Sequence, residues 1–138
     1  RTRALARKLD VGIAIIDKRR PAPGKSQVMN VIGNVKNKSC LIIDDIIDSG
    51  GTIVNAAQAL INRGAKEVYV YITHGVLSGE AVDKIKRSKI KKLIITDTID
   101  NSYKIKKAKN IEVLTISNLL AEAIKRISNS TSVSDLFK

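Results

Sequence analysis

The segment that most limits the fold is Leu41-Ile42-Ile43-Asp44-Asp45-Ile46-Ile47-Asp48-Ser49-Gly50-Gly51-Thr52. It grows out of an apolar, β-branched run, Ser39 to Ile43, of the kind that makes a buried strand. Its paired glycines let the chain turn tightly. A helical stripe then follows from Thr52 to Arg63, where Ile53, Ala56, Ala57, Leu60 and Ile61 share one face and Gly64 ends the run. A buried strand that turns straight into an amphipathic helix opens a strand–helix unit, and such units build parallel sheets.

The same alternation runs along the whole chain. Thr2 to Leu9 reads as a helix tail with Leu5 and Leu9 on one side, and Val11 to Ile16 as a short buried strand. Asp17 to Gln27 is a polar break containing Pro21, Pro23 and Gly24. Val28 to Val35 predicts a strand that includes Gly33, and Lys36-Asn37-Lys38 turns the chain. Further strands are expected over Glu67 to Thr73, Lys92 to Thr96 and Ile111 to Ile116. A helix from about Glu80 to Arg87, started by Ser78, separates the first two. A last helix, Leu119 to Ile127, puts Leu119, Leu120, Ala123, Ile124 and Ile127 on one face. The pattern predicts an α/β fold, a mostly parallel sheet with helices on both faces, in a single domain over residues 1–138.

Composition narrows the functional classes. A length of 138 residues suits one continuous core. No apolar run approaches the roughly 18 residues that span a bilayer, which argues against a membrane role. Cys40 is the sole cysteine, so no internal disulfide can form, and a reducing cytoplasm is the expected location. Within its apolar run Cys40 reads as a small buried hydrophobe rather than a nucleophile. The chain opens on Arg1 with no signal peptide, and the expectation is a piece of a longer protein. The formal net charge of +12 raises nucleic acid as a partner. Much of that excess sits in Lys84 to Lys92 and Lys104 to Lys109, where lysine alternates with isoleucine and no aromatic residue offers a stacking surface. A solvated lysine face is the simpler reading.

Chemistry concentrates in the Asp44-to-Thr52 loop. Ligands of open α/β sheets bind at the carboxyl ends of the strands. Side chains alternate along a strand, so Asp44 and Asp45 leave it in different directions. They could grip two hydroxyls of one sugar, or one hydroxyl and a metal-bound water. Beyond them, Ser49-Gly50-Gly51-Thr52 brings backbone N–H groups together at a helix start, and the two hydroxyls add donors. The result is a monophosphate cradle beside a diol binder. The lysine and spacing of a Walker A loop are missing. The bland alternative is a tight turn capped by Asp48 or Ser49.

This run resembles the phosphoribosyl-diphosphate motif of type I phosphoribosyltransferases and ribose-phosphate pyrophosphokinases. Other stretches resemble the pyrophosphokinase branch specifically: Ala14 to Pro21, Val28 to Gly33, Thr73-His74 with Val76 to Gly79, Leu119 to Ile124, and the tail Ser132 to Phe137. The resemblance implies diphosphate transfer from ATP to the anomeric hydroxyl of ribose 5-phosphate. It implies that Asp44 and Asp45 bind the ribose hydroxyls while Asp48, Ser49, Gly50, Gly51 and Thr52 wrap the 5-phosphate. It further implies Mg²⁺ on the ATP phosphates, a cytoplasmic homo-oligomer (a hexamer), and an effector contact through Ser132, Val133 and Ser134. The chain would be the C-terminal half, with most ATP contacts and the metal-binding histidine upstream. Ser49 departs from the family's frequent threonine but keeps the hydroxyl. Gly75 stands where proline is common, which would loosen that loop.

Lys18 and Arg20 are the expected catalytic cations. Pro21 and Pro23 hold their segment extended, so residues 18 and 20 point one way and Arg19 the other. The break is long enough to be a lid, and transfer of a charged group needs cations where charge builds. The resemblance assigns that work to Lys18 and Arg20; charge alone would fit a solvated basic loop. His74 is the sole histidine and has no metal-ligand spacing around it, so it is left outside the catalytic set. Asp97, between Thr96 and Thr98, lies on the same expected edge and is a candidate nucleotide contact. Two alternatives share the loop: a type I phosphoribosyltransferase, and a non-catalytic regulatory or RNA-binding homologue.

Overall fold

The computed structural model describes residues 2–19 and 28–137. A four-stranded parallel sheet, ordered β3-β4-β5-β6, is formed by β3 (Ser39–Ile47), β4 (Glu67–Gly75), β5 (Ile90–Thr96) and β6 (Ile111–Leu114). Helices α2 (Gly51–Asn62), α3 (Ala81–Arg87) and α4 (Ser102–Ile105) make the three crossovers. Helix α1 (Thr2–Leu9) precedes the sheet, and α5 (Ser117–Ser128) with a 3-10 turn (Ser134–Phe137) follows it. The expected α/β class and parallel sheet flanked by helices are what is found.

Sequential order in a parallel sheet puts successive crossover helices on one face, and the core lies between that face and helices α2 and α3. Val68, Val70 and Ile72 of β4 and Leu93 and Ile95 of β5 alternate inward, where they meet Ile53, Ala57 and Leu60 of α2 and Ala81 and Ile85 of α3. Burying one such aliphatic side chain stabilises the fold by roughly 1.5–3 kcal/mol. On the opposite face Leu41 and Tyr71 are exposed. Helix α2 ends as its sequence predicts. Gly64 takes a φ of +88°, its N–H donates to the Ile61 carbonyl, and Ala65 N–H reaches back to Leu60.

Several boundaries differ from the sequence reading. The first strand is not Val11 to Ile16 but β1 (Ile15–Arg19), which pairs antiparallel with β2 (Val28–Ile32) in a separate two-stranded ribbon. Polar Asp17 can sit in it because a ribbon outside the main sheet imposes no two-sided burial. Strand β3 runs on to Ile47, so Asp44 and Asp45 lie within the strand rather than beyond it. Helix α3 begins after Glu80 without a side-chain cap, although the Ser78 carbonyl does accept the Ala81 amide. Helix α4 is not foreseen by the apolar pattern. Cys40 is half-buried, and burial raises its thiol pKa, in keeping with a packing role.

Candidate functional site

Ile47 fixes the base of the site. It is 2% exposed and ends β3, with its carbonyl accepting the backbone amides of both Val76 (2.9 Å) and Leu77 (3.2 Å). Above this anchor Asp44, Asp45, Asp48, Ser49 and Thr52 are all exposed at the carboxyl end of the sheet. Asp44 lies opposite Ile72, and Ile46 opposite His74. Asp45 donates its amide to Asp44 Oδ1 at 2.9 Å, which steadies the Asp44 carboxylate against its own strand.

Gly50 makes the turn with a φ of +76°, a conformation that favours glycine. Helix α2 then starts with no side-chain cap. The capped-turn alternative, with Asp48 or Ser49 closing the helix, is therefore not what forms. The first amides of α2 keep their donors and the positive end of the helix dipole. A Cβ built on Gly51 would meet nothing within 4 Å, so the space beside the helix start is open. Three exposed carboxylates on one side and unsatisfied amides on the other make a site of opposite polarities, suited to a ligand with both hydroxyls and an anionic group.

The neighbouring strand ends supply polar groups that sequence reading assigned weakly or missed. His74 Nδ1 lies 2.9 Å from Thr98 Oγ1, and Thr96 and Thr98 both donate to the Thr73 carbonyl, at 2.7 and 3.2 Å. Asp97 is exposed and its carboxylate is also engaged within the chain. It accepts the Ile116 amide at 3.0 Å, and hydrogen bonds from Thr115 and Ile116 hold its carboxyl below the usual range. Gly75 is buried at the end of β4, and Asn101 Nδ2 donates to its carbonyl at 2.6 Å. A cavity of about 1040 Å³ opens beside β3, lined largely by apolar residues of α1, β3 and α2. Asp44 and Thr52 form part of its wall, but its apolar lining suits packing rather than sugar chemistry.

The two expected cations are not brought to this site by anything described. The backbone of Lys18 lies on β1 opposite Met29, while its side chain, and Arg20 entirely, lie outside the described residues. The effector candidates sit far along the chain on the tail. The Ser132 carbonyl accepts from Arg126, Val133 is half-buried, Ser134 opens the 3-10 turn, and Lys8 Nζ donates to the Phe137 carbonyl at 3.3 Å.

With this geometry in hand, the comparisons with known proteins are decisive. A match to the phosphoribosyl synthetase-associated domain family spans residues 1–138. The chain belongs to that family. Ribose-phosphate pyrophosphokinase of Brucella melitensis biotype 1 is 58% identical over 137 residues, which are 99% of this chain and 44% of that protein. The enzyme of the same name from Bradyrhizobium diazoefficiens is 55% identical over 99% of this chain and 43% of its own length. Among solved structures, phosphoribosylpyrophosphate synthetase from Mycobacterium smegmatis superimposes with a TM-score of 0.79 at 35% identity, covering 93% of this chain and 42% of that one. This member of the family thus spans less than half the length of the relatives it matches.

Proposed function

We propose that the complete protein is a ribose-phosphate pyrophosphokinase and that this chain supplies its sugar-phosphate site. One observation carries the reading: the uncapped start of α2 lies directly beyond the carboxylates of β3, within a family whose named relatives are such enzymes. Asp44 and Asp45 accept hydrogen bonds from the ribose hydroxyls. The turn from Asp48 to Thr52 binds the 5-phosphate through the amides of α2 and the hydroxyls of Ser49 and Thr52. So held, the sugar presents its anomeric hydroxyl to the β-phosphorus of ATP. The new O–P bond forms as the bond from that phosphorus to the oxygen bridging it to the α-phosphorus breaks, AMP leaves with that oxygen, and the hydroxyl proton passes to solvent. Lys18 and Arg20 stabilise the charge on the migrating group.

Among the described residues no group of three or more His, Cys, Asp or Glu could hold a metal ion. Mg²⁺ belongs in the proposal as the counter-ion that ATP brings, neutralising its phosphates. The family resemblance supports placing the chain as one domain in the C-terminal half; the matched share of the relatives fits a half without saying which. It also supports a cytoplasmic homo-oligomer, a hexamer, with Ser132, Val133 and Ser134 in an effector contact. Exposed Leu119, Leu120, Ile124 and Ile127 on α5 leave an apolar face for such packing. No described helix is long and apolar enough to cross a membrane.

The test is a discontinuous assay on the complete protein with ribose 5-phosphate and Mg-ATP. Stoichiometric AMP and 5-phosphoribosyl 1-diphosphate support the reading. ATP hydrolysis without the phosphoribosyl product, or no binding of ribose 5-phosphate by calorimetry, sinks it.

A further inference from the structure

The geometry points to Lys104 and Asn101 as positioning residues that hold the phosphate turn through the loop after β4. The inference rests on the sugar-phosphate reading above and adds residues that lie about fifty positions downstream of the turn. Two short chains of hydrogen bonds meet in that loop. On one side, Val76 and Leu77 donate their amides to the Ile47 carbonyl, and Ser78 donates to the Asp48 carbonyl at 3.2 Å. The base of the turn is thus held by the loop, not by a cap of its own. On the other side, Lys104 Nζ donates to the carbonyls of Val76 (3.0 Å) and Leu77 (3.4 Å), and Asn101 Nδ2 to that of Gly75. The amides of Val76 and Leu77 reach the turn, and the carbonyls of the same two residues reach Lys104.

Two further observations show that the loop is held against a cost. Leu77 is 1% exposed yet has a φ of +50°, a conformation that side chains with a β-carbon seldom adopt. Such backbone persists where the surroundings over-determine it. Among the described residues Asn101 is a buried polar side chain, 3% exposed, and its Oδ1 has no hydrogen-bond partner. A buried acceptor left unpaired is costly, so the amide is kept for its donors, which serve Gly75 and Ile99. A cationic donor on neutral carbonyls also makes stronger hydrogen bonds than a neutral one. Lys104 is itself exposed, so replacing it leaves the core intact.

The experiment compares Lys104→Met, Lys104→Arg and the control Lys107→Met in the complete protein, with circular dichroism confirming folding. For Lys104→Met the expected result is a rise of about three- to tenfold in the ribose 5-phosphate KM, since small misplacements of a binding group are felt strongly. The ATP KM should stay within about twofold, Lys104→Arg should restore most of the loss, and Lys107→Met should match wild type. An unchanged ribose 5-phosphate KM in Lys104→Met, an equal rise for both substrates, or no rescue by arginine would overturn the inference. Wild-type protein that fails to bind ribose 5-phosphate would instead overturn the functional reading, and this inference with it.

Discussion

Asp97, at the end of β5, accepts the backbone amide of Ile116 at 3.0 Å and so ties the sheet to the residue that precedes α5. Hydrogen bonds from Thr115 and Ile116 lower its pKa from the ordinary 3.8. A depressed carboxylate contributes stability that is present above the unfolded-state value and is lost as pH falls through the folded one. Asp97→Ala should therefore lower the urea midpoint near neutral pH. The gap to wild type should close as pH drops below the ordinary aspartate value. A gap that widens in acid would contradict this linkage.

Asp44→Ala and Asp45→Ala, each in the complete protein, should impair use of ribose 5-phosphate and spare ATP binding. Both carboxylates are exposed in the second half of β3, so truncation leaves the core untouched. Steady-state kinetics with each substrate varied is the check. Wild-type ribose 5-phosphate KM and turnover in both variants would remove these residues from the sugar site.

Lys18→Ala and Arg20→Ala should lower turnover far more than either substrate's affinity. Loss of one preorganised cation commonly costs roughly a hundredfold in rate. Arg19→Ala should be the mild member of the series, because neighbours on an extended chain face opposite ways. A ranking with Arg19→Ala as the worst would reject the assignment.

The two glycines of the turn should separate stability from binding. Gly50→Ala has room, its new Cβ meeting Ala81 Cβ at 3.7 Å, but forces a φ of +76° on alanine. The expected cost is about 1–2 kcal/mol, read as a lower melting temperature. Gly51→Ala is helical and unobstructed, and should leave stability equal or raised by up to about 1 kcal/mol. Its methyl nevertheless enters the space that the proposed function gives to the phosphate, so calorimetry should show weakened ribose 5-phosphate binding. Gly51→Ala that binds as wild type would move the phosphate elsewhere.

The parts legible in sequence are those written in short-range pattern. The βα unit from Ser39 to Asn62 and its Gly64 stop could be read from apolar spacing and glycine placement. The Asp44-to-Thr52 loop followed because its residue types sit next to one another. What escaped depends on contacts distant in sequence. Strand β1 forms where Ile15–Arg19 meets Val28–Ile32, a pairing across the polar break that one-strand periodicity does not reveal. Helix α4 is four residues long, too short for a stripe. Lys104 looked like one more solvated lysine in Lys104 to Lys109. Its bonds to carbonyls 27 and 28 residues away leave no periodic trace.

Among the described residues β3 pairs on one side only, with β4, although it is nine residues long and apolar for much of its length. That matters for handling the chain in solution. An open edge offers a ready hydrogen-bonding template to another copy. The formal charge of +12 opposes that approach while salt is dilute. At about 0.15 M salt the repulsion reaches only about 8 Å, and the edges can meet. As a separate piece, this protein should behave as a charge-stabilised colloid, clear at low ionic strength and increasingly turbid as salt is added.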